Sequence, residues 1–206
     1  MYLLTKKLTL RSVQYSDKLN VLYLKNRKVA CSTIQYSLWM ALDRLNRTET
    51  FTGVVHTRDT PFVKDIFATN TYNAHALRQA VVFSAVRNPF VRILSAYLNK
   101  VGKDMDVWEP FRKRYGIKPN VTQAELTFPD FLRIVASEPD EILDAHFCPQ
   151  YINLLLPYAK LTFVGRLEAV DELAAFMEGI GAPIKEGYRN ASHSTRSLTS
   201  YYDEDS

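Results

Sequence analysis

Lys28, Ser32 and Thr33 lie within six residues of one another, between a short apolar run and a helical one. An ammonium group, two hydroxyls and the amides of a helix's first turn suit one kind of ligand, an anion. Those amides lack intrahelical acceptors, and the helix dipole adds positive potential there. Lys28 can follow such an anion as a mobile point charge. Ala30 and Cys31 are small enough to let backbone approach it, and Val29 and Ile34 are the apolar residues flanking them. A second group of the same character starts at Arg87, which ends another apolar run and precedes Arg92 and Ser95. An arginine at a strand end can hold phosphate with its planar fork, and a helix-borne serine can add one bond. Each group alone has a plain alternative. Lys28 could be a solvated loop lysine with Ser32 a helix cap, and Arg87 could be an ion-pair partner.

Strand-then-helix units are the elements that would position these residues. Apolar runs at Val21–Leu24, Ala80–Val86 and Leu161–Val164 read as buried strands. Helices are expected after them, from about Thr33 to Leu45, from Pro89 to Val101, and from Val170 to Ile180 with Gly181 as the stop. Ile34, Leu38, Leu42 and Leu45 share one helical face. Ser32 and Gln35 have capping-box spacing, and Asn88 precedes Pro89 as an N-cap should. Phe128 to Ala136 reads as a further amphipathic helix. The polar stretch from Gly102 to Glu125, with Trp108, Phe111 and Tyr115 among its charges, reads as a substrate-facing lid or a surface excursion.

Alternating strands and helices predict an α/β fold of three layers, a mainly parallel sheet flanked by helices. Ligands in such folds gather beyond the carboxyl ends of the strands. That rule selects Lys25–Ser32 and Arg87–Asn88. The 206 residues, 47% hydrophobic and 23% charged, suit one domain spanning 1–206. Cys31 and Cys148 are the only cysteines, so a disulfide framework and a C-x-x-C metal site are excluded. Cys31 reads as a small packing residue rather than a nucleophile. The net charge of +4 is no nucleic-acid signature, and no aromatic-basic platform for single strands is evident. The G-x-x-x-x-G-K-[ST] loop is absent, and the later strands run into Arg87 and Gly165 rather than a magnesium-binding aspartate.

The stretch Lys28-Val29-Ala30-Cys31-Ser32-Thr33-Ile34 resembles the 5′-phosphosulfate loop of the carbohydrate-type (family 2) sulfotransferases. Val86-Arg87-Asn88-Pro89-Phe90-Val91-Arg92-Ile93-Leu94-Ser95-Ala96-Tyr97 closely resembles their 3′-phosphate motif. Pro149-Gln150 ahead of Phe163-Val164-Gly165-Arg166-Leu167-Glu168 is similar to the family too, as is Asn190-Ala191-Ser192 ahead of Tyr201-Tyr202-Asp203. The resemblance implies a P-loop nucleotide-kinase-like fold and 3′-phosphoadenosine 5′-phosphosulfate (PAPS) as sulfate donor. It implies a hydroxyl of a carbohydrate or glycoconjugate as acceptor, and no metal. Lys28 and the loop through Ile34 would hold the 5′ end, and Arg87 with Ser95 the 3′-phosphate. Asn190 and Ser192 would lie near the nucleotide. His56 falls where similar chains place a histidine near the acceptor hydroxyl, and a near-neutral pKa suits a general base. His146 is the second choice for that role. Arg166 and Glu168 read as a supporting ion pair.

Two other functions stay open on the residues alone. One is a P-loop-type kinase for a small metabolite, and the other a non-catalytic module binding a nucleotide or a sulfated glycan. Family chains commonly continue past the Tyr-Tyr-Asp stretch into another helix, so a C-terminal helix is expected to be lacking here. With no apolar run long enough for a span, the expectation is a soluble cytoplasmic protein of bacterial type.

Overall fold

The structure is a computed structural model, and it describes residues 13–16, 18–46, 78–103, 105–156, 159–184 and 199–202. The chain divides into two compact units. Met1–Arg87 with Gln150–Asn190 form the first, and Asn88–Pro149 with Ala191–Ser206 the second.

The first unit is built on a four-stranded sheet. Its strands are β1 (Val13–Ser16), β2 (Val21–Leu24), β3 (Val81–Val86) and β4 (Phe163–Arg166), side by side in that order. β2 with β3 and β3 with β4 run parallel, while β1 pairs antiparallel to β2, with Val13 opposite Leu24. The α/β class therefore holds, and the sheet is mainly parallel as expected, made mixed by the antiparallel β1. β1 had no expectation at all. Gln14 and Ser16 are polar yet buried, so the apolar signature of a buried strand is missing.

Tyr23 on β2 and Phe83 on β3 are both fully buried and stack at 5.1 Å between centroids. Helix α1 (Cys31–Asn46) lays Ile34, Leu38 and Leu42 into the same cluster. Each such side chain contributes about 1.5–3 kcal/mol on leaving water. A later helix of this unit, Val170–Gly179, adds Leu173 and Met177. It approaches β4 so closely that a Cβ on Gly165 would lie 2.7 Å from Leu173 Cδ1. Beyond that helix Gly181 takes φ +77, the left-handed geometry of a helix stop.

The second unit is helical. α2 (Pro89–Lys100) starts as expected, with the Asn88 side chain accepting from the amides of Phe90 and Val91 at 3.0 and 3.3 Å. α3 (Met105–Arg114) and α4 (Phe128–Ala136) follow. Short α5 (Gln150–Asn153) and then α6 (Val170–Gly179) belong to the first unit. The Gly102–Glu125 stretch is a surface excursion only in its second half, where residues 116–125 are turns and mostly exposed. α3 lies inside it, and Trp108 and Phe111 are 3% and 8% exposed in an aromatic core with Tyr97, Phe128, Phe131 and Phe147. The charges between them occupy the other face of the helix, which is why the stretch looks polar in sequence. Among the described residues, no helix is long and apolar enough to cross a membrane.

Candidate functional site

The loop from β2 to α1 is wound tightly. Lys28 and Ala30 take φ +64 and +47, a left-handed backbone that side-chain-bearing residues rarely adopt. Each such residue costs on the order of 1–3 kcal/mol, and residues of this kind cluster where ligands are clamped. Val29 between them is fully buried and anchors the turn. The Ile34 amide donates to the Ala30 carbonyl at 3.0 Å, so the helix begins at Cys31. That is two residues earlier than expected and places Ser32 inside the first turn, where it cannot serve as the N-cap. Ala30 occupies the cap position and brings no side-chain acceptor to the first-turn amides. Cys31 is half-buried, and Thr33 and Ile34 are buried.

A set of amides ties this loop to the end of β3. Asn26, fully buried, donates through Nδ2 to the Ala85 carbonyl at 2.9 Å and to Gln150 Oε1 at 2.8 Å. Gln150 Oε1 also accepts from the Arg87 amide at 3.0 Å, while its Nε2 donates to the Arg87 carbonyl at 2.7 Å. Asn153 Nδ2 donates to Asn26 Oδ1 at 3.1 Å. Nearby, Ser84 Oγ donates to the Leu24 carbonyl at 2.6 Å. The Arg87 guanidinium makes a long contact, 3.5 Å from Nη1, with the Lys28 carbonyl. Lys28 and Arg87, which the sequence set 59 residues apart, thus share one edge of the sheet.

The electrostatics of that edge are cationic and partly desolvated. Burial holds the Arg87 guanidinium below its usual pKa, and the Glu168 carboxylate opposes that shift. Glu168 is therefore a neighbour of Arg87 rather than the partner of Arg166, which pairs instead with Glu172 at 3.2 Å on the surface. Lys25, at 3% exposure, is pushed down to about 8, by burial first and by Arg27 second, with Cys31 opposing. An unfolded lysine titrates near 10.4, so between these values the unfolded chain binds more protons and folding stability rises with pH. The cost of burying the ammonium is fully present below about pH 8 and disappears above about pH 10.4. Relative to Lys25→Met, the parent protein should therefore gain about 2–3 kcal/mol between roughly pH 7.5 and pH 10. Denaturant titrations at stepped pH measure this, and a pH-independent difference between the two proteins would refute a buried, charged Lys25.

Other expected site residues lie in the second unit. Ser95 is buried in α2. Arg92, also buried, donates to the Cys148 and Ala145 carbonyls at 2.8 and 2.9 Å, which makes it the strut of the 145–148 turn. Burial pushes the Cys148 thiol up to about 11, so it is an unreactive packing group. His146 Nδ1 lies 2.6 Å from Asp144 Oδ1, an oxygen that also accepts from the His146 amide at 2.9 Å. A carboxylate on Nδ1 fixes the tautomer and leaves Nε2 as the basic nitrogen. The Tyr-Tyr-Asp similarity has a structural basis here. Tyr202 donates to the Phe90 carbonyl at 2.7 Å, and its ring packs edge-on against Phe128 at 5.1 Å. His56, Asn190 and Ser192 lie outside the described residues. Among the described residues, no group of three or more His, Cys, Asp or Glu could hold a metal ion.

Gln150 and Glu168 were not assigned to the site from sequence, and Lys25 and Asn26 entered it only as members of the Lys25–Ser32 loop. Gln150 and Glu168 did carry a signal, through the similarity of Pro149-Gln150 and of the stretch ending at Glu168 to the family.

Carbohydrate sulfotransferase 14 of Danio rerio is 30% identical over 190 residues, covering 87% of this chain and 51% of that protein. The Mus musculus protein of the same name is 31% identical over 186 residues, covering 86% and 49%. The Homo sapiens protein is 30% identical over 186 residues, again covering 86% and 49%. The chain spans about half the length of these curated relatives. No solved structure matches it significantly. The relatives are animal proteins, which overturns the expectation of a bacterial, cytoplasmic enzyme. The family model described as "Sulfotransferase family" matches residues 11–203, through both compact units, and the chain belongs to that family.

Proposed function

We propose that this chain moves a sulfuryl group from PAPS to a hydroxyl of a carbohydrate acceptor. The observation that carries the reading is the pairing of Lys28, in its strained loop, with Arg87 at the neighbouring strand end of one unit. Family membership supplies the donor, and the relatives' printed name supplies the acceptor class. A P-loop nucleotide-kinase-like arrangement, with both units in one sulfotransferase domain, fits the strand-loop-helix junction and the extent of the family match.

Sulfuryl transfer makes the same demands as phosphoryl transfer. Donor and acceptor must be aligned, and charge on the transferred group and leaving oxygen must be stabilised. Lys28 and the loop from Val29 to Ile34 are suited to the 5′ end and Arg87 to the 3′-phosphate, while Ser95 is assigned to that phosphate on motif similarity alone. Asn190 and Ser192 are assigned to the nucleotide on motif similarity alone. His56 is the proposed base for the acceptor hydroxyl. His146 is the alternative, and its Asp144 contact supports either base function or ordering of its own turn.

The test is transfer of labelled sulfate from PAPS to a panel of glycans. Transfer that persists in EDTA, with tight binding of adenosine 3′,5′-bisphosphate, is the expected result. Magnesium-dependent turnover of ATP would replace this reading with a kinase. Bisphosphate binding without transfer to any acceptor would replace it with a binding module.

A further inference from the structure

The backbone of Arg87 stands one residue past the end of β3, where the ladder no longer holds it. A single side chain takes over. Gln150 engages both the N–H and the C=O of Arg87, at 3.0 and 2.7 Å, as a neighbouring strand would. The same Oε1 accepts from Asn26 at 2.8 Å, and Asn26 is two residues before Lys28 on the phosphate loop. Asn26 is itself oriented by Asn153 and by the Ala85 carbonyl. These amides are buried or half-buried, so water does not readily substitute for a lost partner.

We propose that Gln150 is a positioning residue, which fixes the spacing between the loop that receives the 5′ end of the donor and the arginine that receives its 3′-phosphate. The proposal rests on the functional reading above. It assigns Gln150 no contact with the donor. Its effect is to hold the Arg87 peptide so that the guanidinium meets a second phosphate at a set distance from the first. A rigid clasp of this kind reduces the ordering cost of binding a ligand anchored at both ends. It contributes little to a ligand anchored at one end.

That difference separates positioning from mere stabilisation. Affinities of adenosine 3′,5′-bisphosphate and adenosine 5′-phosphate are measured by calorimetry on the full chain and on Gln150→Met, which keeps length but removes the amide. The parent protein should prefer the bisphosphate. In Gln150→Met that preference should fall about tenfold, with monophosphate affinity changed by no more than about threefold. KM for PAPS should rise more than kcat falls. Gln150→Asn, one methylene shorter, cannot span both loops and gives the same reading if the first variant does not fold. An intact preference in a folded variant, or equal losses for the two nucleotides, overturns the proposal alone. A parent protein with no preference overturns the assignment of Arg87 and the proposal with it.

Discussion

Replacing Lys28 with alanine should lower turnover about 10²–10³-fold, the loss typical of removing one preorganised donor from a developing charge. Lys28 stands at φ +64, beside the buried Val29 and three residues ahead of the start of α1. Alanine keeps a Cβ at that backbone position, so the strain of the loop is unchanged and the variant isolates the ammonium group. The effect should fall mainly on kcat, because charge on the leaving oxygen and sulfuryl group grows toward the transition state. Adenosine 3′,5′-bisphosphate carries no sulfuryl group, and its affinity should drop by no more than about tenfold, one lost charge-assisted bond. Steady-state rates with PAPS and a competent glycan, beside calorimetry with the bisphosphate, separate the two. A Lys28→Ala protein with full turnover would remove Lys28 from the chemistry. A loss confined to KM would make it a ground-state binding group only.

The parts of this protein that were legible in its sequence are those whose signal is local. β2 and β3 are short, nearly continuous apolar runs, and they fall where such runs predict. The helix Pro89–Lys100 starts where Asn88 and Pro89 say it should, because cap and first-turn chemistry are written in adjacent residues. β1 was invisible because Gln14 and Ser16 are buried polar residues, and only pairing with β2 explains them. The start of α1 was misplaced for a related reason. Ser32 offered a familiar cap spacing, while the true cap position is an alanine in a left-handed conformation that no composition rule anticipates. Trp108, Phe111 and Tyr115 do have helical spacing, but Pro110 and the surrounding charges hid it.

The same division holds at the candidate site. Lys28 and Arg87 announce themselves by charge at strand ends. Gln150 and Asn26 are uncharged, stand 124 residues apart and meet only when the sheet is assembled. Glu168 beside Arg87 is likewise a product of the β3–β4 pairing, in which Val86 faces Arg166. Sequence thus names the groups proposed to touch a ligand. The groups that aim them came from topology.

Glu168 also contributes to the second large effect. Arg87→Ala should lower affinity for adenosine 3′,5′-bisphosphate about 30- to 100-fold while leaving adenosine 5′-phosphate nearly unchanged, the loss expected for one bidentate, charge-assisted phosphate contact. Part of that loss comes from what remains. With the guanidinium gone, the Glu168 charge that now favours it remains as a like charge to an incoming phosphate. Arg87→Ala combined with Glu168→Gln should therefore recover roughly threefold of the affinity lost in Arg87→Ala. Arg87→Lys should recover less than the parent affinity, since an ammonium lacks the planar fork. Calorimetry with both nucleotides at low and moderate salt measures all three variants. Equal weakening of the two nucleotides by Arg87→Ala would deny Arg87 the 3′-phosphate. An unchanged affinity in the Glu168→Gln background would leave the loss to the missing contact alone.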